Sequence, residues 1–307
     1  MNAVLKQVFT REFEVIVVND GSTDRTGKIA EAFVEEDKRF RLISQENSGP
    51  AGARNNGARN ARNEIIVFLD SDCVPEKNWL EEMVKPFSDR NVAGVQGAYR
   101  SRQKELIAVF GQIEIEHRYE LMKKSRKVDW IGSYSAAYKK SIFLEEGGFD
   151  EAYRIASGED PDFSYTLSEN GYRLVFNQNA IVWHYHPASL PKYLRAKFYR
   201  GYWRVRLYRK HLGKMVSDSY TPQEIKLQIM CFYSGIVFLG ISFFSAQFLY
   251  LGAALLGMIV LLAIPFYLWA MKRNAGAGMT APIIILLRTI AYSCGMAMAT
   301  INGKVFA

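Results

Sequence analysis

The chain has 307 residues, 49% of them apolar, and a formal net charge of +8. That length admits one large α/β domain plus something smaller. Its three cysteines, Cys73, Cys231 and Cys294, are too scattered for a disulfide framework or a zinc cluster.

Met1 to Phe13 holds no apolar run of signal-peptide type, so any membrane anchor is expected further along. Phe13 to Val18 is short and almost wholly apolar, which predicts a strand buried on both faces. It ends in Asn19-Asp20-Gly21-Ser22, before a helix from about Thr26 to Asp37. Arg41 to Ser44 reads as a strand and Ala51 to Ala61 as a helix. Glu64 to Leu69 is a second buried strand and runs directly into Asp70-Ser71-Asp72. Pro75 then opens a helix over about Glu76 to Phe87, since proline is tolerated in a first helical turn. Val92 to Gly97 is strand-like and Leu106 to Lys123 helical. Strands alternating with helices predict a mostly parallel sheet covered on both faces.

Beyond Pro191 the composition changes. Nine Lys and Arg residues and no acid lie between Lys192 and Lys214, interleaved with Tyr193, Phe198, Tyr199, Tyr202, Trp203 and Tyr208. This pattern suits amphipathic helices on an anionic lipid surface better than an RNA-binding face, because uncharged sequence follows directly. From Ile229 to Met271 there are 43 residues without a charge. At about 1.5 Å per residue they would make roughly 64 Å of helix, about twice a bilayer core, so a transmembrane hairpin turning at Ser245-Ala246-Gln247 is expected. The alternative is a buried helical pair in a soluble protein. Basic residues flank both ends of the hairpin, Lys272 and Arg273 on the far side, which places both flanks in the cytoplasm. The stretch 282–303, with Arg288 early and Lys304 just beyond it, reads as a third membrane helix or an interfacial one.

Chemistry concentrates at strand ends, where ligands bind in open parallel sheets. Two carboxylates one residue apart, Asp70 and Asp72, are costly to bury unpaired, and a divalent cation bridging a diphosphate would satisfy them. A solvated acidic turn is the plainer reading of that triplet alone. Further candidates keep it company. Asn47 to Asn55 puts a glycine-rich turn and Arg54 at a helix start, a natural phosphate cradle. Glu159, Asp160 and Asp162 place three acids within four positions, and a strand over Ala180 to Trp183 ends in His184-Tyr185-His186.

The ordered strings VVNDGSTD, ENSGPAGARNNG, VFLDSD, GGFDE, GEDPDFSYTLSENGYRL and VWHYH resemble family 2 glycosyltransferases over about residues 10–190. The resemblance implies an α/β, Rossmann-like GT-A domain over 1–190. Basic interfacial helices over 191–226 and a membrane region over 227–307 would follow, with two transmembrane helices in about 228–271. It implies an inverting, membrane-associated transferase taking a sugar from a nucleotide-diphosphate donor to a polyprenyl-linked or glycan acceptor. Membrane lipid would be its other partner and nucleic acid would not be one. Asp20, with Gly21 and Ser22, would hold the base, and Arg54 would sit by the phosphates. Asp70 would contact sugar or ribose. Asp72 would ligate Mn²⁺ or Mg²⁺ with His184, or less favourably His186. Asp160 would be the general base, and Glu159, Asp162, Ser133 and Ser135 would line the acceptor side.

Two departures from the family pattern stand out. Its usual opening strand, of the type VSVIIPxYN, is missing, and Met1 to Val8 reads as the helix that follows it. The expectation is a start set too late or a truncated gene, with an inactive membrane-bound pseudoenzyme as the alternative. Ser133 or Ser135 also stands where many members carry Asn near the sugar. A processive polysaccharide synthase is a further alternative. Its QxxRW-like motif is approached only by Tyr202-Trp203-Arg204, without the glutamine and in reversed order.

Overall fold

A computed structural model describes residues 1–153, 155 and 157–302. The expected Lys304 and the end of the 282–303 stretch fall outside the described residues. The chain forms two compact units, one of residues 1–100 and 125–184, the other of residues 101–124 and 185–307.

In the first unit, α1 (Asn2–Leu5) precedes β1 (Val15–Asp20), α2 (Thr26–Glu36), β2 (Phe40–Gln45), α3 (Gly49–Asn60), β3 (Ile65–Leu69) and the short β4 (Val74–Pro75). α4 (Trp79–Val84) runs into a 3₁₀ turn over Lys85–Ser88, and β5 (Val92–Arg100) follows. α5 (Leu106–Lys124) belongs to the second unit. The chain then returns for β6 (Ser135–Lys139), α6 (Lys140–Glu145), α7 (Glu159–Glu169) and β7 (Arg173–Trp183).

The α/β class is as read from the sequence, but the strand directions are more mixed. β1 and β2 form a parallel pair of their own, from Val15 opposite Phe40 to Asp20 opposite Gln45. The other strands order as β3-β6-β5-β7-β4, in which β5–β7 is parallel while β3–β6, β6–β5 and β4–β7 are antiparallel. A parallel neighbour needs a crossover lying on its own sheet. The helix between β5 and β6 packs with the second unit instead, so β6 enters reversed. β1 also departs from expectation. Its run predicts burial on both faces, yet all six residues are only partly buried. It pairs along one edge only, with β2.

Behind the sheet, Phe68, Tyr138, Phe143, Phe149 and Phe163 form one aromatic cluster, with Phe143 and Phe163 centroids 4.9 Å apart and Phe68 and Phe149 5.3 Å apart. Such contacts add about 0.5–1.5 kcal/mol each beyond area burial. Phe163 is on α7, so this cluster fixes the helix whose first turn carries Glu159, Asp160 and Asp162.

In the second unit, α8 (Leu190–Lys210) and α9 (Leu212–Val216) lead to α10 (Gln223–Ile241), α11 (Gln247–Leu261), α12 (Ile264–Met271) and α13 (Ala275–Asn302). Gln223–Ile241, Gln247–Met271 and Ala275–Asn302 are each long and apolar enough to cross a membrane. The break between the first two falls at 242–246, and Phe243 and Phe244 there are 90% and 86% exposed. Side chains of that kind are stable against lipid rather than water. α8 and α13 approach through glycine: a Cβ at Gly201 would overlap the Tyr292 carbonyl, and one at Gly295 the Phe198 carbonyl. Phe110 of α5, Tyr193 of α8, Phe266 of α12 and Ile284 of α13 share the core of this unit.

Candidate active site

Strand pairing assembles the site. Cys73 N–H donates to the Asp70 carbonyl at 3.0 Å, turning the chain through Asp70-Ser71-Asp72 and into β4. β4 pairs with the end of β7, Val74 opposite Trp183 and Pro75 opposite Val182. On the other side of β7, the His184 N–H donates to the Arg100 carbonyl at 2.9 Å. These two pairings bring His184 Nε2 to 3.3 Å from Asp72 Oδ2. The Asp72 side chain is 65% exposed, and its hydrogen bond with the imidazole holds it below the ordinary carboxylate range. Tyr99, at the end of β5, lies 4.5 Å from the His184 ring and stacks on Tyr134 at 3.6 Å. Tyr99 and Tyr134 escape the sequence reading because aromatics in or beside a strand are more simply read as core. The position of Tyr99 at a strand's carboxyl end was the available signal.

Asp20 closes the end of β1. It accepts from the Ser48 and Gly49 N–H groups at 2.8 and 2.9 Å, so the start of α3 is tied to its carboxylate. Gln45 adds a side-chain donor at 2.8 Å and in turn accepts from Asn56. Gly21 turns the chain with φ +70°, and a Cβ there would sit 3.0 Å from the Asn47 nitrogen. Ser22 N–H caps onto Asn19 at 3.1 Å.

α3 also carries Arg54, and both its terminal amino groups are committed. One donates to Asp70 at 2.8 Å, the other to Glu159 at 2.9 Å. Burial works against the guanidinium's charge, but the two carboxylates outweigh it and raise Arg54 above its ordinary value. Glu159 is 1% exposed and also accepts the Ser157 and Gly158 N–H groups at 3.0 Å. It is thus the inner partner of Arg54.

Asp160 faces the start of β6. Its Oδ2 accepts the Ser133 backbone N–H at 3.1 Å. Burial, then the Glu159 charge, push its carboxyl up to about 7, against the pull of the Ser133 N–H and Arg54. The other residues expected on the acceptor side are buried. Ser135 is fully enclosed, accepting from the Trp79 indole at 2.8 Å, and Ser133 and Asp162 are 4% and 6% exposed. His186 belongs to the second unit, where its ring lies 2.8 Å from Gln112 Oε1.

No group of three or more His, Cys, Asp and Glu side chains suited to a metal occurs among the described residues. Asp72 and His184 nevertheless fit a divalent cation held partly by its ligand. One carboxylate oxygen and one imidazole nitrogen converge from the segments flanking β4 and β7, and would supply two ligands to such an ion.

The family model for glycosyl transferase family 2 matches residues 1–145. A pre-mycofactocin glycosyltransferase of Mycobacterium tuberculosis is 30% identical over 200 residues, covering 62% of this chain and 41% of that protein. Glycosyltransferase AglE of Haloferax volcanii is 30% identical over 190 residues, covering 60% of each chain. This chain thus spans 41% and 60% of the lengths of these two relatives. A mannosyltransferase of Pyrobaculum calidifontis, PcManGT, solved with GDP-Man and Mn²⁺, superposes with a TM-score of 0.59 at 21% identity, covering 96% of this chain and 81% of that one. Residues 1–145 thus match the glycosyl transferase family 2 model, and the chain shares the GT-A fold of that mannosyltransferase.

Proposed function

We propose that the protein transfers a sugar, with inversion, from a nucleoside-diphosphate donor to a hydroxyl or phosphate of a lipid-linked or glycan acceptor. The observation that carries this reading is the 3.3 Å approach of Asp72 and His184, made by strands distant in sequence, on the same unit as a carboxyl raised to about 7. Asp72 and His184 would hold Mn²⁺ or Mg²⁺, which supplies charge neutralisation for the departing diphosphate. PcManGT, solved with GDP-Man and Mn²⁺, supports the donor class and the metal.

In this reading Asp20, anchored at the start of α3, receives the base, beside Gly21 and Ser22. Arg54 acts by position: it fixes Asp70 toward the sugar and neutralises Glu159, which lies next to the base. Asp160 takes the acceptor proton, and a value near 7 suits a group that must accept a proton at neutral pH. The Ser133 N–H fixes its orientation. The three apolar helices support membrane association, and the basic residues of α8 together with Lys272 and Arg273 favour the cytoplasmic face for the catalytic unit.

A second reading, chain extension by a synthase, is supported by the poly-β-1,6-N-acetyl-D-glucosamine synthase of Staphylococcus aureus, 28% identical over 183 residues and covered over 44% of its length. Incubating the full chain in membranes with radiolabelled nucleotide sugars and Mn²⁺ tests both. Label in a single lipid-extractable product supports the first reading, and a polymer ladder supports the second. Absence of any metal-dependent donor binding would overturn both.

A further inference from the structure

In the second unit the buried Glu114 lies among several bases. Glu114 of α5 is 4% exposed, Arg118 7%, Lys197 of α8 5% and Arg288 of α13 4%. Arg288 donates to Glu114 Oε1 at 2.8 Å and to Gln228 at 2.6 Å, while Lys197 and the Tyr193 hydroxyl both donate to Oε2. The carboxylate is therefore satisfied without Arg118. Arg118 finds Glu114 only at 3.6 Å, past good hydrogen-bond reach, and otherwise lies over the Tyr220 ring at 4.9 Å.

Further acids lie in this unit, paired with bases other than Arg118. Glu116 faces Arg273 at 3.8 Å and Asp218 pairs with Lys226 at 2.9 Å. Glu224 lines a second cavity together with His117, Glu114 and Arg288. Burial drives the Lys197 amine well below the ordinary lysine range, so that group can shed its proton. Even then two guanidinium groups, which do not deprotonate, face one carboxylate. Glu114 thus serves Lys197 and Arg288 closely and Arg118 at the longest distance, so a further anion beside Arg118 would be favoured.

Space for one exists beside these residues. A small cavity, partly open to solvent, is lined by Gly111, Glu114, Arg118, His186, Lys197 and Arg200, with apolar neighbours. Arg200 is exposed, whereas Arg118 and Lys197 are inside. Gly111 contributes no side chain there. The forked, planar donors of arginine match tetrahedral oxyanions, and a carboxylate already neutralised by Arg288 lies behind them.

We propose that this cavity between α5 and α8 binds a phosphate group through Arg118, with Lys197 and Arg200. The phosphate is that of a lipid head or a free phosphate ester. Neither Asp72, His184 nor Asp160 belongs to this site, so the inference stands apart from the transfer reading.

The test uses the full chain in neutral detergent and follows thermal stabilisation by three probes: inorganic phosphate, short-chain phosphatidylglycerol and a polyprenyl phosphate. Stabilisation by the lipids alone assigns a lipid head, and equal stabilisation by inorganic phosphate assigns phosphate as such. Arg118→Lys keeps the charge and removes the fork, and should weaken binding about tenfold or more. Arg200→Gln, at the exposed mouth, should fold normally and weaken binding severalfold. Lys192→Gln removes an exposed charge of α8 that does not line the cavity, and should leave binding unchanged. No stabilisation by any probe would overturn the proposal. So would losses in Lys192→Gln equal to those in the other two variants, which would mark diffuse surface attraction.

Discussion

Asp160 accepts the backbone N–H of Ser133 at 3.1 Å, so a carboxyl raised by its surroundings is held by the segment that leads into β6. Because its folded value lies near 7 and its ordinary one at 3.8, the native state binds this proton more tightly than the unfolded chain does. Stability contributed by the protonated group is therefore present at low pH and is lost as pH rises from about 4 through about 7. Asp160→Asn should raise the unfolding temperature above pH 7, leave it unchanged near pH 4, and abolish transfer while sparing donor binding. Thermal scans at the two pH values beside a transfer assay check this. Full turnover by the variant would remove Asp160 as the base.

The same shift predicts the pH profile. The base must be ionised, so kcat/KM for the intact protein should climb as pH rises through about 7 and level off above it. A profile that is flat between pH 5 and 8 would contradict that assignment.

Arg54 spans Asp70 and Glu159 from a largely buried position. Arg54→Met leaves Glu159 charged and enclosed, and should cost about 3 kcal/mol or more. Adding Glu159→Leu should recover a large part of that loss, which denaturant titration of the three proteins would reveal. If the double variant is no more stable than the single one, the pair is not the unit described.

Chelation should remove donor binding, and Asp72→Ala should do the same even with Mn²⁺ in excess. His184→Ala should raise the Mn²⁺ concentration needed for half-maximal donor binding about tenfold or more. Calorimetric titration of the donor over a range of Mn²⁺ concentrations separates the two variants. Donor affinity indifferent to both substitutions would exclude this pair from the metal.

At Gly201 any side chain meets the backbone of α13. Gly201→Leu should lower stability by at least about 1–3 kcal/mol through overpacking. The effect should appear in detergent-solubilised protein and be far smaller for Gly213→Leu, whose added Cβ meets nothing within 4 Å.

Much of the candidate site was legible because apolar runs stop abruptly at polar residues. Val15 to Val18 stop at Asp20, Ile65 to Leu69 at Asp70, and Ala180 to Trp183 at His184, and the structure places all three ends in the first unit. Side-chain direction was harder to read. Ser133 and Ser135 are two residues apart, yet one offers its backbone N–H to Asp160 and the other turns inward to Trp79. Glu159 and Asp160 are adjacent acids with opposite fates, because only Glu159 meets Arg54 directly. α5 was read simply as the next helix in an alternating series. Its membership of the second unit depends on partners in α8, α12 and α13, which lie far along the chain.

The two-residue strand β4 has a consequence for how the protein acquires its activity. Its pairing with β7 joins Asp72 to His184, positions separated by 112 residues. Contacts between such distant segments close late, after the entropy of the intervening chain has been lost. A nascent chain still lacking β7 would lack this pairing, and with it the proposed metal pair. Donor capture then becomes a report on completed folding, and the donor, by binding only the finished sheet, would stabilise the last step of its own site's formation.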